Sequence, residues 1–187
     1  MPSFAETIGL PDSLLLLNGL PNLGPVSVRR LLERFGDDPR AIFRASRGEL
    51  GSVSGVGDKI INSILDEGHE DWLAKEKKKL ESRKITFLSN ESYPPLLNEI
   101  YDPPVGLYVA GQIPLGPYLS IVGTRQPTLY GLRFARELAQ QLAQIGFCIV
   151  SGMARGIDTA AHEGALDVQG KTLAFLGSGI DVVYPPE

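Results

Sequence analysis

Between Leu119 and Leu176, three short apolar runs alternate with two stretches of helical spacing. The runs are residues 119–122, 147–150 and 172–176. The helical stretches are residues 130–145 and 157–168, and the first of them has Phe134, Leu138 and Leu142 as its expected buried stripe. Strands that alternate with helices over joins of a few residues point to an α/β fold, a parallel sheet with right-handed crossovers. A parallel sheet needs cover on both faces, and three strands make about half of a doubly wound fold. Either the apolar runs at 85–88 and 106–110 join this sheet, or chain beyond Glu187 completes it.

The front of the chain differs. Residues 1–68 carry helical apolar spacing cut by glycine turns, with no convincing strand. Leu31, Leu32 and Phe35 follow Val28 on one helix face, and Ile60, Ile61, Ile64 and Leu65 repeat the pattern. Two stretches match at a spacing of 33 residues, Gly24 to Gly57: LPNLGPVSV from Leu20 and VSGVGDKII from Val53. Both resemble helix–hairpin–helix elements, in which a Gly-apolar-Gly turn aims free amides at a nucleic-acid phosphate. The first has Asn22 where glycine is usual, and Asn tolerates the left-handed conformation. The alternative is that the turns only pack small helices together, and seven basic against nine acidic residues in this segment give no electrostatic footprint. Residues 69–104 form a bridge: a charged helix (69 to about 83), an apolar run, then Pro94 and Pro95, which forbid regular structure. The KEKKKLESRK stretch (75–84) mixes charges and reads as a solvated face. Residues 105–187 form the sheet domain.

Composition narrows the function. The chain has 187 residues, is 43% hydrophobic and 21% charged, and carries a net charge of −4, so it is a globular protein and not one that coats nucleic acid by bulk charge. Any polyanion site is therefore a local gathering of cations. Its one cysteine, Cys148, forms no intrachain disulfide, which fits a reducing compartment. The leucine run at 14–17 is too short to span a bilayer, and the N-terminus lacks the charged start of a signal peptide. A cytoplasmic location with no membrane segment is the expectation.

In an open parallel sheet, ligands sit at the carboxyl ends of the strands. Three loops leave that edge: Gly123-Thr124-Arg125; Ser151-Gly152-Met153-Ala154-Arg155-Gly156-Ile157-Asp158; and Gly177-Ser178-Gly179. Small residues there let backbone amides approach a phosphate, although no loop is a Walker A motif or a full GxGxxG fingerprint. Arg125 and Arg155 share the edge, and guanidinium groups grip phosphate oxygens in bidentate fashion. The expected phosphate-binding set is Gly123, Thr124, Arg125, Ser151, Gly152, Arg155, Gly156, Asp158, Gly177 and Gly179. Asp158 and His162 lie four apart on one helix face. They read either as a carboxylate orienting an imidazole for acid/base work, in support of the site, or as a helix cap beside a packed histidine. No nucleophile–base–orienter set assembles, Ser151 lacks a GxSxG elbow, and the two histidines form no metal cluster. No catalytic residue, metal or cofactor is expected.

These residues resemble one family. SIVGTRQPTLYG (120–131), IVSGMARGIDTAAHEGAL (149–166) and GKTLAFLGSGIDVVYP (170–185), with YPPLL (93–97) and DPPVGLYVAG (102–111) before them, are similar to the DNA processing protein A family, also called DprA or Smf. The resemblance implies an N-terminal sterile-alpha-motif-like helical domain followed by an extended Rossmann-like domain that binds single-stranded DNA. It also implies protection of incoming DNA, help in loading the RecA recombinase during natural transformation, and a homodimer. By position, the family's phosphate-gripping arginine falls on Arg125, and its glycine-rich loop on residues 151–158, with His162, Gly177 and Gly179 matching as well. Family Rossmann domains continue past the YP motif, so the chain is expected to be a fragment whose sheet domain is incomplete. The rival from another class is an enzyme acting on nucleoside monophosphates at the same edge, with Asp158 or His162 in acid/base roles.

Overall fold

The structure is a computed structural model that describes residues 4–89, 92–182 and 184–186. The chain divides into two compact units, Met1–Gly111 and Gln112–Glu187.

The first unit runs α1 (Phe4–Thr7), α2 (Leu10–Gly19), α3 (Pro25–Arg34), α4 (Pro39–Arg44), α5 (Arg47–Gly51), α6 (Asp58–Ile64), α7 (His69–Ser82), β1 (Ile85–Ser89), α8 (Pro95–Asn98) and β2 (Gly106–Ala110). Local chemistry sets the helix starts. Proline, whose missing N–H costs nothing in a first turn, opens α3 and α4. Asp38 caps α4 by accepting from the Arg40 amide, and Ser46 with Glu49 forms a capping box on α5. The 33-residue repeat is real in three dimensions. Asn22 (φ 65°) and Gly55 (φ 81°) take the same left-handed turn position, and Gly24 and Gly57, both at φ −92°, precede α3 and α6. The two turns are locked together, since Arg30 Nη1 donates to the Ser54 carbonyl at 3.1 Å. Arg29 donates to the Asp102 carboxylate at 2.6 Å and lies over the Tyr101 ring. Both arginines thus have partners within this unit.

Leu16, Leu17, Leu31, Ile42, Leu50 and Ile64 fill the core of this unit. The bridge belongs to it. Leu73 is buried there, Trp72, Phe87 and Tyr108 pack against it, and Lys77 pairs with Asp12. This corrects the division at 104/105. The run at 106–110 does not join the parallel sheet, but pairs antiparallel with β1, Ile85 opposite Ala110, and packs Tyr108 on the helical core.

The second unit runs β3 (Tyr118–Ser120), α9 (Leu129–Gln144), β4 (Cys148–Ser151), α10 (Ile157–Asp167) and β5 (Thr172–Ala174). The strands form a parallel sheet in the order β3-β4-β5, with Leu119 opposite Ile149 and Ile149 opposite Thr172. That row faces the two helices, while Ser120, Val150 and Leu173 form the next row on the other face. The stripe expected from Phe134, Leu138 and Leu142 is displaced by one residue. Ala135, Ala139 and Ala143 are buried, Leu138 and Leu142 are half-buried, and Phe134 is 53% exposed. The cause lies in α10, which approaches α9 so closely that a Cβ on Gly164 would stand 2.2 Å from the Arg136 carbonyl oxygen. Only methyl groups fit at that separation. Arg136 closes the seam by donating to Asp167 and Glu163, and its guanidinium holds the Asp167 carboxyl below its ordinary pKa. Cys148 is buried, which pushes its thiol pKa up. Among the described residues no helix is long and apolar enough to cross a membrane.

Candidate nucleic-acid interface

The carboxyl edge of the parallel sheet is built by two loops that touch. Ile157, the first residue of α10, donates its amide to the Thr124 carbonyl at 3.3 Å. Gly156, at φ +87°, occupies a conformation that side chains oppose, and a Cβ on it would lie 2.4 Å from the Thr124 oxygen and 3.0 Å from Arg125 Cα. Glycine is thus required twice, for its backbone angle and for the approach. The structure therefore sets the backbone of Arg125 directly against the segment carrying Arg155. Both arginines are exposed. The chain after the third loop returns to the same place, with the Arg125 guanidinium 5.9 Å from the centre of the Tyr184 ring. That ring was not among the expected site residues, although its motif, YPP, was in plain view.

Asp158 explains how the loops hold their shape. It is buried, at the start of α10, and its carboxylate accepts from the amides of Gly123 (3.3 Å), Gly152 (3.1 Å) and Ala154 (3.5 Å). One internal anion thus joins the first loop to the second. This corrects two expectations. The amides of Gly123 and Gly152 point inward to Asp158 and are not donors waiting for phosphate, and Asp158 is a loop staple in place of a phosphate contact. Ser151 is likewise internal, 3% exposed, with Oγ donating to the Ile121 carbonyl at 2.7 Å. Thr124 shapes its own loop, its hydroxyl accepting from the Gln126 amide. In the third loop, a Cβ on Gly177 would meet nothing within 4 Å, whereas on Gly179 it would stand 2.7 Å from an Asp181 carboxylate oxygen.

Asp158 does not orient His162. The imidazole Nδ1 lies 2.6 Å from Thr172 Oγ1, and that hydroxyl already donates its single hydrogen to the Ile149 carbonyl. Nδ1–H is therefore the donor, and Nε2 is left as a bare acceptor with no partner, in a residue only 9% exposed. Protonating Nε2 would bury an unpaired charge, so burial holds the His162 pKa below its ordinary value, against a smaller opposing pull from Asp158. The packed histidine is the arrangement found. Among the described residues no cluster of histidine, cysteine or carboxylate side chains has the makings of a metal site.

The cations of this unit sort by place. Arg136 ties the helices, and Lys171, at the opposite edge, donates to the Leu115 carbonyl. Arg133 is exposed on α9, and Arg125 and Arg155 are exposed on the adjoining loops.

Comparison with known proteins gives a consistent picture. The family model for DNA recombination-mediator protein A matches residues 84–187. Protein Smf of Synechocystis sp. is 38% identical over 173 residues, which cover 88% of this chain and 43% of that protein. DNA processing protein DprA of Streptococcus pneumoniae is 42% identical over 144 residues, 74% of this chain and 49% of that one. An X-ray structure of DNA processing protein A from Streptococcus pneumoniae superposes with a TM-score of 0.68 at 29% identity, over 94% of this chain and 60% of that chain. The chain thus spans less than half the length of these two curated relatives.

Proposed function

The chain belongs to the DNA recombination-mediator protein A family, and on that footing we propose that its second unit is part of a Rossmann-like domain that holds the phosphate backbone of single-stranded DNA without catalytic turnover. Arg125 and Arg155 are the phosphate contacts in this reading, and Gly177, with open space beside it, leaves room for the strand. The observation that carries it is the juxtaposition of the two exposed arginines, on loops pressed together at Gly156 and pinned from beneath by Asp158. Guanidinium groups on a fixed frame suit a repeating anion, because little rotational freedom is lost in binding and each phosphate is met by a planar fork. Contacts of this kind read charge and spacing rather than base identity.

The absence of turnover in the proposal rests on the engaged state of the reactive groups. The Ser151 hydroxyl is bonded to Ile121, Asp158 is taken up by three loop amides, and the open Nε2 of His162 is sealed from solvent, so none of the three reaches a nucleotide at the edge. The resemblance extends the proposal to protection of incoming DNA, to RecA loading, to a homodimer in the longer proteins, to a cytoplasmic setting and to a sterile-alpha-motif-like role for the helical front.

The test is binding of fluorescent oligonucleotides of several sequences by anisotropy. Arg125→Ala is expected to weaken all of them by a similar factor, on the order of tenfold. Unchanged affinity, or a loss confined to one sequence, contradicts the assignment.

A further inference from the structure

The outer face of α9 carries an aromatic pair that neither the core nor the arginine loops use. Tyr130 and Phe134 lie ring on ring, with centroids 6.0 Å apart and planes 20° from parallel. They are 76% and 53% exposed. Stacked rings left in water on the first two turns of a helix contribute little to packing the unit that carries them.

Their position is at the phosphate edge. The helix begins directly after the Arg125 loop, and Gly131 sits against the start of α10, where a Cβ would lie 3.6 Å from Ile157 Cδ1. Their surroundings select the occupant. Arg133, one turn on from Tyr130, flanks that ring, is exposed, and pairs with no carboxylate among the described residues. The first turn of α9 holds no acidic residue, and Glu137 enters only a turn beyond Arg133. Flat apolar rings bordered by cations complement a ligand that is itself flat, apolar and carried on a polyanion.

Resting on the phosphate-binding reading above, we infer that Tyr130 and Phe134 form a stacking platform for a nucleobase of the bound single strand, with Arg133 facing a neighbouring phosphate. Stacking is tolerant of base identity, so the platform adds affinity without adding sequence preference.

The experiment compares the full chain with its Tyr130→Ala and Phe134→Leu variants, each on oligo-dT and on an abasic deoxyribose-phosphate strand of equal length. The second variant keeps an apolar side chain and removes only the ring. Wild type is expected to bind oligo-dT more tightly than the abasic strand. Each variant is expected to lose on the order of tenfold on oligo-dT and nothing on the abasic strand, while Tyr130→Phe retains wild-type affinity. Equal wild-type binding of the two strands, with no effect of either variant, overturns the platform and leaves the phosphate reading standing. Failure of wild type to bind either strand overturns both. A concentration-dependent dimer in sedimentation that Tyr130→Ala abolishes, with oligo-dT affinity intact, assigns the rings to a second copy and also overturns the platform.

Discussion

The two units reach compactness by opposite means. The first is filled by volume: leucine and isoleucine side chains from several short helices meet in one core, with Leu17, Leu31, Ile42 and Leu50 fully buried. The second is filled by proximity: six alanines and Gly164 let two long helices lie against each other and against a three-stranded sheet. Volume tolerates varied backbone arrangements, whereas proximity fixes backbone to backbone. The proposed phosphate contact, with its two arginines on adjoining loops, stands on the second kind of frame. In the first unit, by contrast, the turns that resemble nucleic-acid hairpins spend Arg29 and Arg30 on their own neighbours.

The contrast is broken or sharpened by a few substitutions. The largest effect is expected from Leu31→Ala, which empties the fully buried centre of the first unit and costs about 3 kcal/mol through lost transfer energy and a residual cavity. Urea unfolding followed by the fluorescence of Trp72, the single tryptophan, reports that unit. Next is Gly164→Ala. Alanine gains about 1 kcal/mol of helix propensity over glycine. Yet its Cβ meets the Arg136 carbonyl at 2.2 Å, and backbone cannot yield as a side-chain end does. The clash wins, for a net loss of about 2 kcal/mol, read from hydrogen exchange of the α9 amides. If Gly164→Ala stabilises, proximity is not what holds the second unit. Thr128→Ala removes the hydroxyl that accepts from the Gly131 amide at the start of α9 and is expected to cost about 1 kcal/mol in the same measurement.

The gentlest effect is a slope with pH. The folded state holds His162 below its ordinary pKa, so the unfolded chain binds a proton that the folded one refuses. The stability of the second unit is therefore whole above about pH 6.5 and declines as pH falls from there toward the depressed folded value. The apparent midpoint of the second unit should fall more steeply between pH 7 and pH 5 in wild type than in His162→Gln. Identical slopes in the two proteins contradict the buried, neutral ring.

Much of this architecture was legible from the residues, for identifiable reasons. The alternation in the last third specified the parallel sheet and both long helices to within a residue or two, because short apolar strands and amphipathic helices differ in period. The left-handed Asn22 was foreseeable from its match to Gly55 at the repeat spacing. The buried stripe of α9 was misread because apolarity ranks Phe134, Leu138 and Leu142 above alanine. Burial here follows the distance between helices, which no single helix encodes. The role of Asp158 was hidden for a similar reason. A carboxylate at a helix start suits a cap, a ligand contact or a catalytic orienter, and only the meeting of two loops shows that three amides converge on it. The strand at 106–110 was placed in the wrong unit because an apolar run does not announce whether its partner is parallel or antiparallel.

The central claim is that Arg125 and Arg155 act together on phosphate. Its most direct measurement is the dependence of oligo-dT affinity on salt for wild type, each alanine variant and the double variant. Counterion release predicts that the slope of log K against log salt becomes shallower by about 0.7 for each arginine removed and by about twice that for both. Slopes and affinities that stay at wild-type values in the double variant would show that the strand, if bound, is held elsewhere.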